Sequence, residues 1–139
     1  MIVVDTNVVS ELMRPSPSQA VQTWFEAQAA NDLYVTAVTV AEIRYGLARL
    51  PMGRRQDRLR EAADEVFSTF AEFILPFDTA AAIEYAEIAT HCESLGRSIE
   101  GFDAQIAAIC RAHEAVLATG NTKDFQDTGV RLVSPWEPN

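Results

Sequence analysis

Ile2-Val3-Val4-Asp5 opens the regular structure of this chain, and most of the fold can be read outward from it. Three β-branched apolar residues in a row, with no polar alternation, describe a strand buried on both faces, as in a parallel sheet. A second such run, Ala115-Val116-Leu117-Ala118-Thr119, lies near the other end and is followed by the turn residues Gly120-Asn121. Between the two, strand and helix patterns alternate. Val8 to Met13 reads as a short helix, stopped by Arg14-Pro15-Ser16-Pro17. Ser18 can cap a helix running to about Gln28 that carries Val21, Trp24 and Phe25. Leu33-Tyr34-Val35 is a strand, and Val38 to Leu50 a helix ended by Pro51-Met52-Gly53. Arg54 to Phe73 is a longer helix, with Leu59, Ala62, Ala63, Val66, Phe67 and Phe70 at helical spacing.

Ile74-Leu75-Pro76-Phe77 reads as a strand that Pro76 confines to an edge or a strand end. Asp78 or Thr79 then caps a helix whose apolar stripe is Ala81, Tyr85, Ile88, Cys92 and Leu95, with Gly96 as its stop. Phe102 to about His113 is the last helix, and Arg131-Leu132-Val133 a short strand before Pro135. The alternation predicts an α/β fold, a small parallel β-sheet flanked by helices. At 139 residues, 48% apolar and 22% charged, the chain makes one domain, 1–139, able to bury a full core without staples. No apolar run is long enough to cross a bilayer, and the start lacks the basic and apolar regions of a cleaved signal, so no membrane association is expected.

The formal charge is −9, which argues against a generic nucleic-acid binder. The basic residues are nevertheless concentrated. Arg44, Arg49, Arg54, Arg55, Arg58 and Arg60 are six of the eleven, opposed locally only by Asp57. Such a strip is either a solvated helix face or a surface that steers a polyanion or an acidic partner. Cys92 and Cys110 have neither C-x-x-C nor Cys/His spacing, which excludes a zinc site of the usual kind. They read as small buried hydrophobes in a reducing cytoplasm.

The acids carry the chemistry. In an open α/β sheet, ligands bind beyond the carboxyl ends of the strands. Asp5 stands at one such end, where it can equally cap a turn or helix. Asp124 follows another, where it can equally be a turn residue or a surface partner of Lys123. Asp103 heads an apolar stripe of Ile106, Ala107 and Cys110. A helix-dipole role alone would not demand that face. Glu42 borders the core face marked by Ile43, Leu47 and Leu50, and by spacing alone it reads as solvated. If the first strand and the Val116–Thr119 strand are neighbours, Asp5, Asp103 and Asp124 converge. Clustered carboxylates raise one another's pKa unless a cation neutralises them, and oxygen ligands alone select Mg²⁺ or Mn²⁺.

With those residues in view, the sequence resembles the PIN-domain ribonucleases, and among them the VapC-type toxins of toxin–antitoxin pairs, on the FitB-like branch. Met1-Ile2-Val3-Val4-Asp5-Thr6-Asn7 is similar to the family's opening strand and first acid. Thr39-Val40-Ala41-Glu42-Ile43-Arg44-Tyr45-Gly46 is similar to its second motif, and Phe102-Asp103-Ala104-Gln105-Ile106-Ala107-Ala108 to its third. Leu117 to Phe125 is similar to its fourth, matched at Asn121 and Asp124, and Ser134-Pro135-Trp136 suits the same branch. The resemblance covers nearly the whole chain in order. It implies a metal-dependent endoribonuclease whose Asp5, Glu42, Asp103 and Asp124 are catalytic and hold Mg²⁺ or Mn²⁺. Thr6 and Asn121 would support them. It also implies a homodimer, an RNA substrate, a cognate antitoxin, and operator DNA bound through the antitoxin complex. Arg44, Arg54, Arg55 and Arg58 are then candidate contacts with RNA or antitoxin. The alternative is a non-catalytic PIN-like module that oligomerises or binds nucleic acid without cutting it. A receiver-like phosphotransfer domain would want a lysine after a later strand, and Lys123 is the only lysine here. His91 and His113 have no nucleophile elbow near them, which disfavours a serine or cysteine hydrolase.

Overall fold

β1 (Ile2–Val4) lies at the centre of the sheet, as its unbroken apolar run requires. On one side it pairs with β2 (Leu33–Thr36), Ile2 opposite Leu33, and β2 pairs with the edge strand β3 (Ile74–Leu75). On the other side it pairs with β4 (Val116–Ala118), Val4 opposite Ala118, and β4 pairs with the second edge strand β5 (Leu132–Val133). The order is β3-β2-β1-β4-β5, all parallel, in a computed structural model that describes residues 1–137. The last two positions of the expected domain, 138–139, lie outside the described residues.

Strand pleating sends successive side chains to opposite faces, so each strand feeds two cores. Val3 and Leu117 pack into a cluster with Ile88, Cys92, Ile106 and Ile109, from α5 (Thr79–Ser94) and α6 (Gly101–Ala112). Val4, Val35 and Ala118 face the other cluster. There they meet Val8, Val21, Trp24, Leu47 and Phe67, from α1 (Thr6–Leu12), α2 (Gln19–Ala27), α3 (Ala37–Ala48) and α4 (Arg54–Thr69). Both cysteines are free and buried, as expected of small apolar residues. Among the described residues, no helix is long and apolar enough to cross a membrane.

Several helix ends differ from the expected ones, each for a local reason. α1 starts at Thr6 rather than Val8, because Asp5 is its N-cap and takes the Thr6 N–H at 2.8 Å. α4 ends at Thr69 rather than Phe73. Phe70 is buried edge-on to Phe25, and the Phe73 carbonyl already accepts the Val35 N–H at 3.1 Å along the sheet edge. β3 stops at Leu75, where Pro76 removes a ladder donor. Of the two candidate caps of α5 it is Asp78 that accepts, from the Ala81 N–H at 3.0 Å. Leu95 is the C-cap of that helix and is half exposed, so it leaves the predicted stripe. Gly96 follows at φ +74°, the left-handed region that glycine occupies without strain. α6 starts at Gly101 and is capped by the Glu100 side chain, which accepts the Asp103 N–H at 3.0 Å.

Candidate active site

The pairing of β1 with β4 sets their carboxyl ends side by side, and Asp5 is the first residue beyond β1. Its backbone N–H still donates to the Ala118 carbonyl at 2.9 Å, so its position is fixed by the sheet itself. The side chain is buried. One oxygen caps α1. The other accepts the Thr119 hydroxyl at 2.7 Å and the Asn7 amide at 3.2 Å. Asn7 also takes the Gly120 N–H on its Oδ1 at 3.0 Å, tying α1 to the turn after β4. Gly120 has no room for a side chain, since a Cβ there would stand 2.8 Å from the Trp136 ring. Burial pushes the Asp5 carboxyl up. The bonds from Thr119, Thr6 and Asn7 pull it back, and the negative charge of Asp124 adds to the rise.

Glu42 reaches the same place from α3. Thr6 Oγ1 donates to its Oε1 at 2.8 Å and lies 3.0 Å from the Thr39 hydroxyl, so a threonine of α1 orients a glutamate of α3. Burial raises the Glu42 pKa, the Thr6 bond opposes the rise, and the charges of Asp5 and Glu100 reinforce it. Asp103, in the first turn of α6, is the most strongly displaced. Burial and then the negative charges of Asp5, Glu100, Asp124 and Glu42 push it up to about 7. Four acids thus act on a fifth, as expected where carboxylates converge.

Asp5, Thr6, Glu42, Asp103 and Asn121 line one depression of ≈ 540 Å³. Asp103 also lines a second, of ≈ 580 Å³, with Asp124, Glu100 and Lys123. The structure therefore brings together the four acids singled out in the sequence and both of their supporting residues. Asn121 donates its backbone N–H to Thr119 Oγ1 at 3.0 Å, which orders the turn, while its exposed side chain borders the cleft. Arg44, Arg54, Arg55 and Arg58 are exposed and line neither depression; Arg44 pairs with Asp64 at 2.8 Å and lies over the Phe67 ring.

Sequence reasoning did not single out Glu100, Thr119, Asn7 or Thr39. Glu100 had one signal, its place three residues before Asp103 at a helix start, but glutamate is not a favoured cap. Thr119 follows β4, and only the pairing of that strand with β1 gives its hydroxyl a task.

The donor set fits a hard divalent cation: apart from Cys92, a core residue at the edge of the second depression, the possible ligands are carboxylate, hydroxyl and amide oxygens, and no histidine lines either depression among the described residues. Among those residues no three His, Cys, Asp or Glu side chains form a finished cage. Magnesium does not require one, since it keeps several waters and takes one or two carboxylates.

The similarities of the chain agree with this geometry. Over 139 residues, 99% of both sequences, it is 41% identical to VapC ribonuclease Y4jK of Sinorhizobium fredii. To Toxin FitB of Neisseria gonorrhoeae it is 38% identical over 137 residues, covering 98% of this chain and 99% of the other. A solved structure of FitAB bound to an IR36 DNA fragment contains a chain that superposes with a TM-score of 0.92 at 37% identity, covering 100% of this chain and 98% of that one. The profile of the PIN domain matches residues 2–130, a span that holds every acid of the cleft. Sheet, cleft and similarity coincide, and the chain belongs to the PIN domain family.

Proposed function

We propose that the chain is a Mg²⁺- or Mn²⁺-dependent endoribonuclease, the toxin of a toxin–antitoxin pair. The observation that carries the reading is the placement of Asp5, Glu42, Asp103 and Asp124 around two depressions that share Asp103, with Asp103 pushed to about 7 by burial and by its neighbours' charge. The similarity to VapC ribonuclease and to FitB supports a nuclease and a PIN-domain toxin. When bound, the cation supplies charge neutralisation and Lewis-acid polarisation of a phosphodiester. Asp5, Asp103 and Asp124 are the residues that would hold it. Glu42, fixed at one oxygen by Thr6, orients the attacking water through the other. Attack would be in line: the water oxygen bonds to phosphorus as the bond to the leaving ribose oxygen breaks on the opposite side, and the proton lost by the water ends on that oxygen or in solvent.

The partners follow from the same reading: an RNA substrate, an inhibiting antitoxin, a second copy of the chain, and operator DNA reached through the antitoxin complex. A chain solved in a DNA-bound FitAB complex is the structural support for the last of these. Two buried free thiols suit a reducing cytoplasm.

Calorimetric titration of Mn²⁺ into the protein, beside Asp103→Asn, tests the centre of the proposal without a choice of RNA. Saturable binding that the variant loses while staying folded is the expected result. Equal binding by both proteins would remove Asp103 from the site and favour the non-catalytic module. With a cleavable RNA in hand, Asp5→Asn and Asp103→Asn are each expected to abolish cutting.

A further inference from the structure

The cleft has two lobes, and Asp103 is the residue common to both. Because the lobes meet at Asp103, an RNA strand whose scissile phosphate lay there would have a lobe on either side for its neighbouring phosphates. The lobe beyond Asp103 is lined by Glu100 and Asp124 as well, so a polyanion entering it meets three carboxylates. Its cations are Arg97 and Lys123. Arg97 is already committed: its Nη1 is 3.0 Å from Asp127 Oδ2 and 3.1 Å from Gln126 Oε1. Lys123 is different. Its side chain is exposed, and among the described residues it makes no ion pair and no hydrogen bond. Yet its backbone is fixed, in the short 3₁₀ turn Thr122–Phe125. That turn is closed by Asp124 N–H on the Asn121 carbonyl at 3.0 Å and anchored by the buried Phe125 ring.

Resting on the nuclease reading above, we propose that Lys123 is a positioning residue, its ammonium holding a non-bridging oxygen of the phosphate next to the scissile one in the lobe between α6 and the Thr122–Phe125 turn. A lysine suits this task. It is a compact point charge on a flexible stem, able to follow a phosphate that is not held in one bidentate geometry. It is also the one lysine of the chain, placed one residue before a site acid. Its charge offsets, within the lobe, the carboxylates of Glu100, Asp103 and Asp124.

The test is equilibrium binding of a labelled single-stranded RNA oligonucleotide of mixed sequence, with Ca²⁺ in place of Mg²⁺, across a salt series. The proteins are wild type, Lys123→Ala and Lys123→Arg, and each is also titrated with Mn²⁺ in the absence of RNA. Loss of one phosphate contact lowers the slope of log affinity against log salt by about 0.7 for a single strand. Lys123→Ala is expected to show that change, with affinity reduced roughly two- to fivefold, the range of an exposed ion pair. Lys123→Arg is expected to restore both. Mn²⁺ affinity should be unchanged or higher in Lys123→Ala, since a competing positive charge has left the acids. Unchanged slope and RNA affinity in Lys123→Ala would overturn the proposal and leave the nuclease reading standing. A fall in Mn²⁺ affinity would overturn it too, by showing that Lys123 serves the acids rather than RNA. Wild-type protein that binds Mn²⁺ but no RNA would remove the nuclease reading, and this proposal with it.

Discussion

Burial pushes the Asp5 carboxyl up, and Thr119, Thr6 and Asn7 pull it back by donating to it, with the Thr119 hydroxyl the shortest of the three at 2.7 Å. Thr119→Val keeps the shape and removes that donor. It is expected to raise the Asp5 pKa further, to weaken Mn²⁺ binding in calorimetry, and to cost about 1–3 kcal/mol of stability in urea unfolding. Asp103 gives a pH signature. Its folded-state pKa of about 7 stands above the ordinary 3.8, so between those values the native metal-free protein keeps a proton that the unfolded chain releases. Stability should therefore fall as pH rises from about 4 to 7, and Mg²⁺ should offset the loss at the upper end. Thermal melts across that range, with and without Mg²⁺, check this. Asp103→Asn should flatten the slope without abolishing it, because Asp5 and Glu42 are raised in the same direction. Asp5 and Asp103 were legible in the sequence from their place at a strand end and at the head of an apolar helix face. Glu42 was not legible from spacing, because what seats it is a hydroxyl 36 residues away. Only its resemblance to a known motif marked it.

At the scale of elements, the α3–α4 junction shows how a polar residue can fix two helices. Gln56, buried in the first turn of α4, donates to the carbonyls of Leu47 and Leu50 at 3.0 and 3.1 Å, closing the open C-terminal end of α3. With Gln56, Ala63 and Phe67 turned inward, Arg54, Arg55 and Arg58 are left on the outer face. Gln56→Ala is expected to cost about 1–3 kcal/mol, read as a lower urea midpoint at unchanged slope, since the Leu50 carbonyl loses its donor and the buried Leu47 carbonyl keeps only the Leu50 N–H at 3.2 Å. The strand and helix types of the elements followed from periodicity and from Pro and Gly punctuation. Their ends were less legible. Asp5 as a cap moved the start of α1 two residues earlier, and the packing of Phe70 and Phe73 took the last stretch of α4 into the sheet edge. A cap and a tertiary contact are chosen between competing local options, and periodicity does not rank them.

For the whole molecule, the question is what the arginine face meets. The protein is strongly acidic, and apart from its partners on α4 and in the turn before it, this face is the main concentration of positive charge. Reversing Arg54, Arg55 and Arg58 together to glutamate distinguishes the two expected occupants. Weaker RNA binding with a normal antitoxin complex would assign the face to RNA; a lost complex with normal RNA binding would assign it to the antitoxin. Filter binding and size-exclusion chromatography read the two arms.

The central place of β1 also governs time. During synthesis β1 must wait for β4 before both its edges are paired, and Asp5 must wait for Thr119. At roughly 5–20 residues per second, the ribosome takes many seconds to deliver that partner. Throughout that interval a growing chain holds the opening acid and no finished cleft. Synthesis itself thus imposes a delay between the appearance of the polypeptide and the first moment it can act on anything.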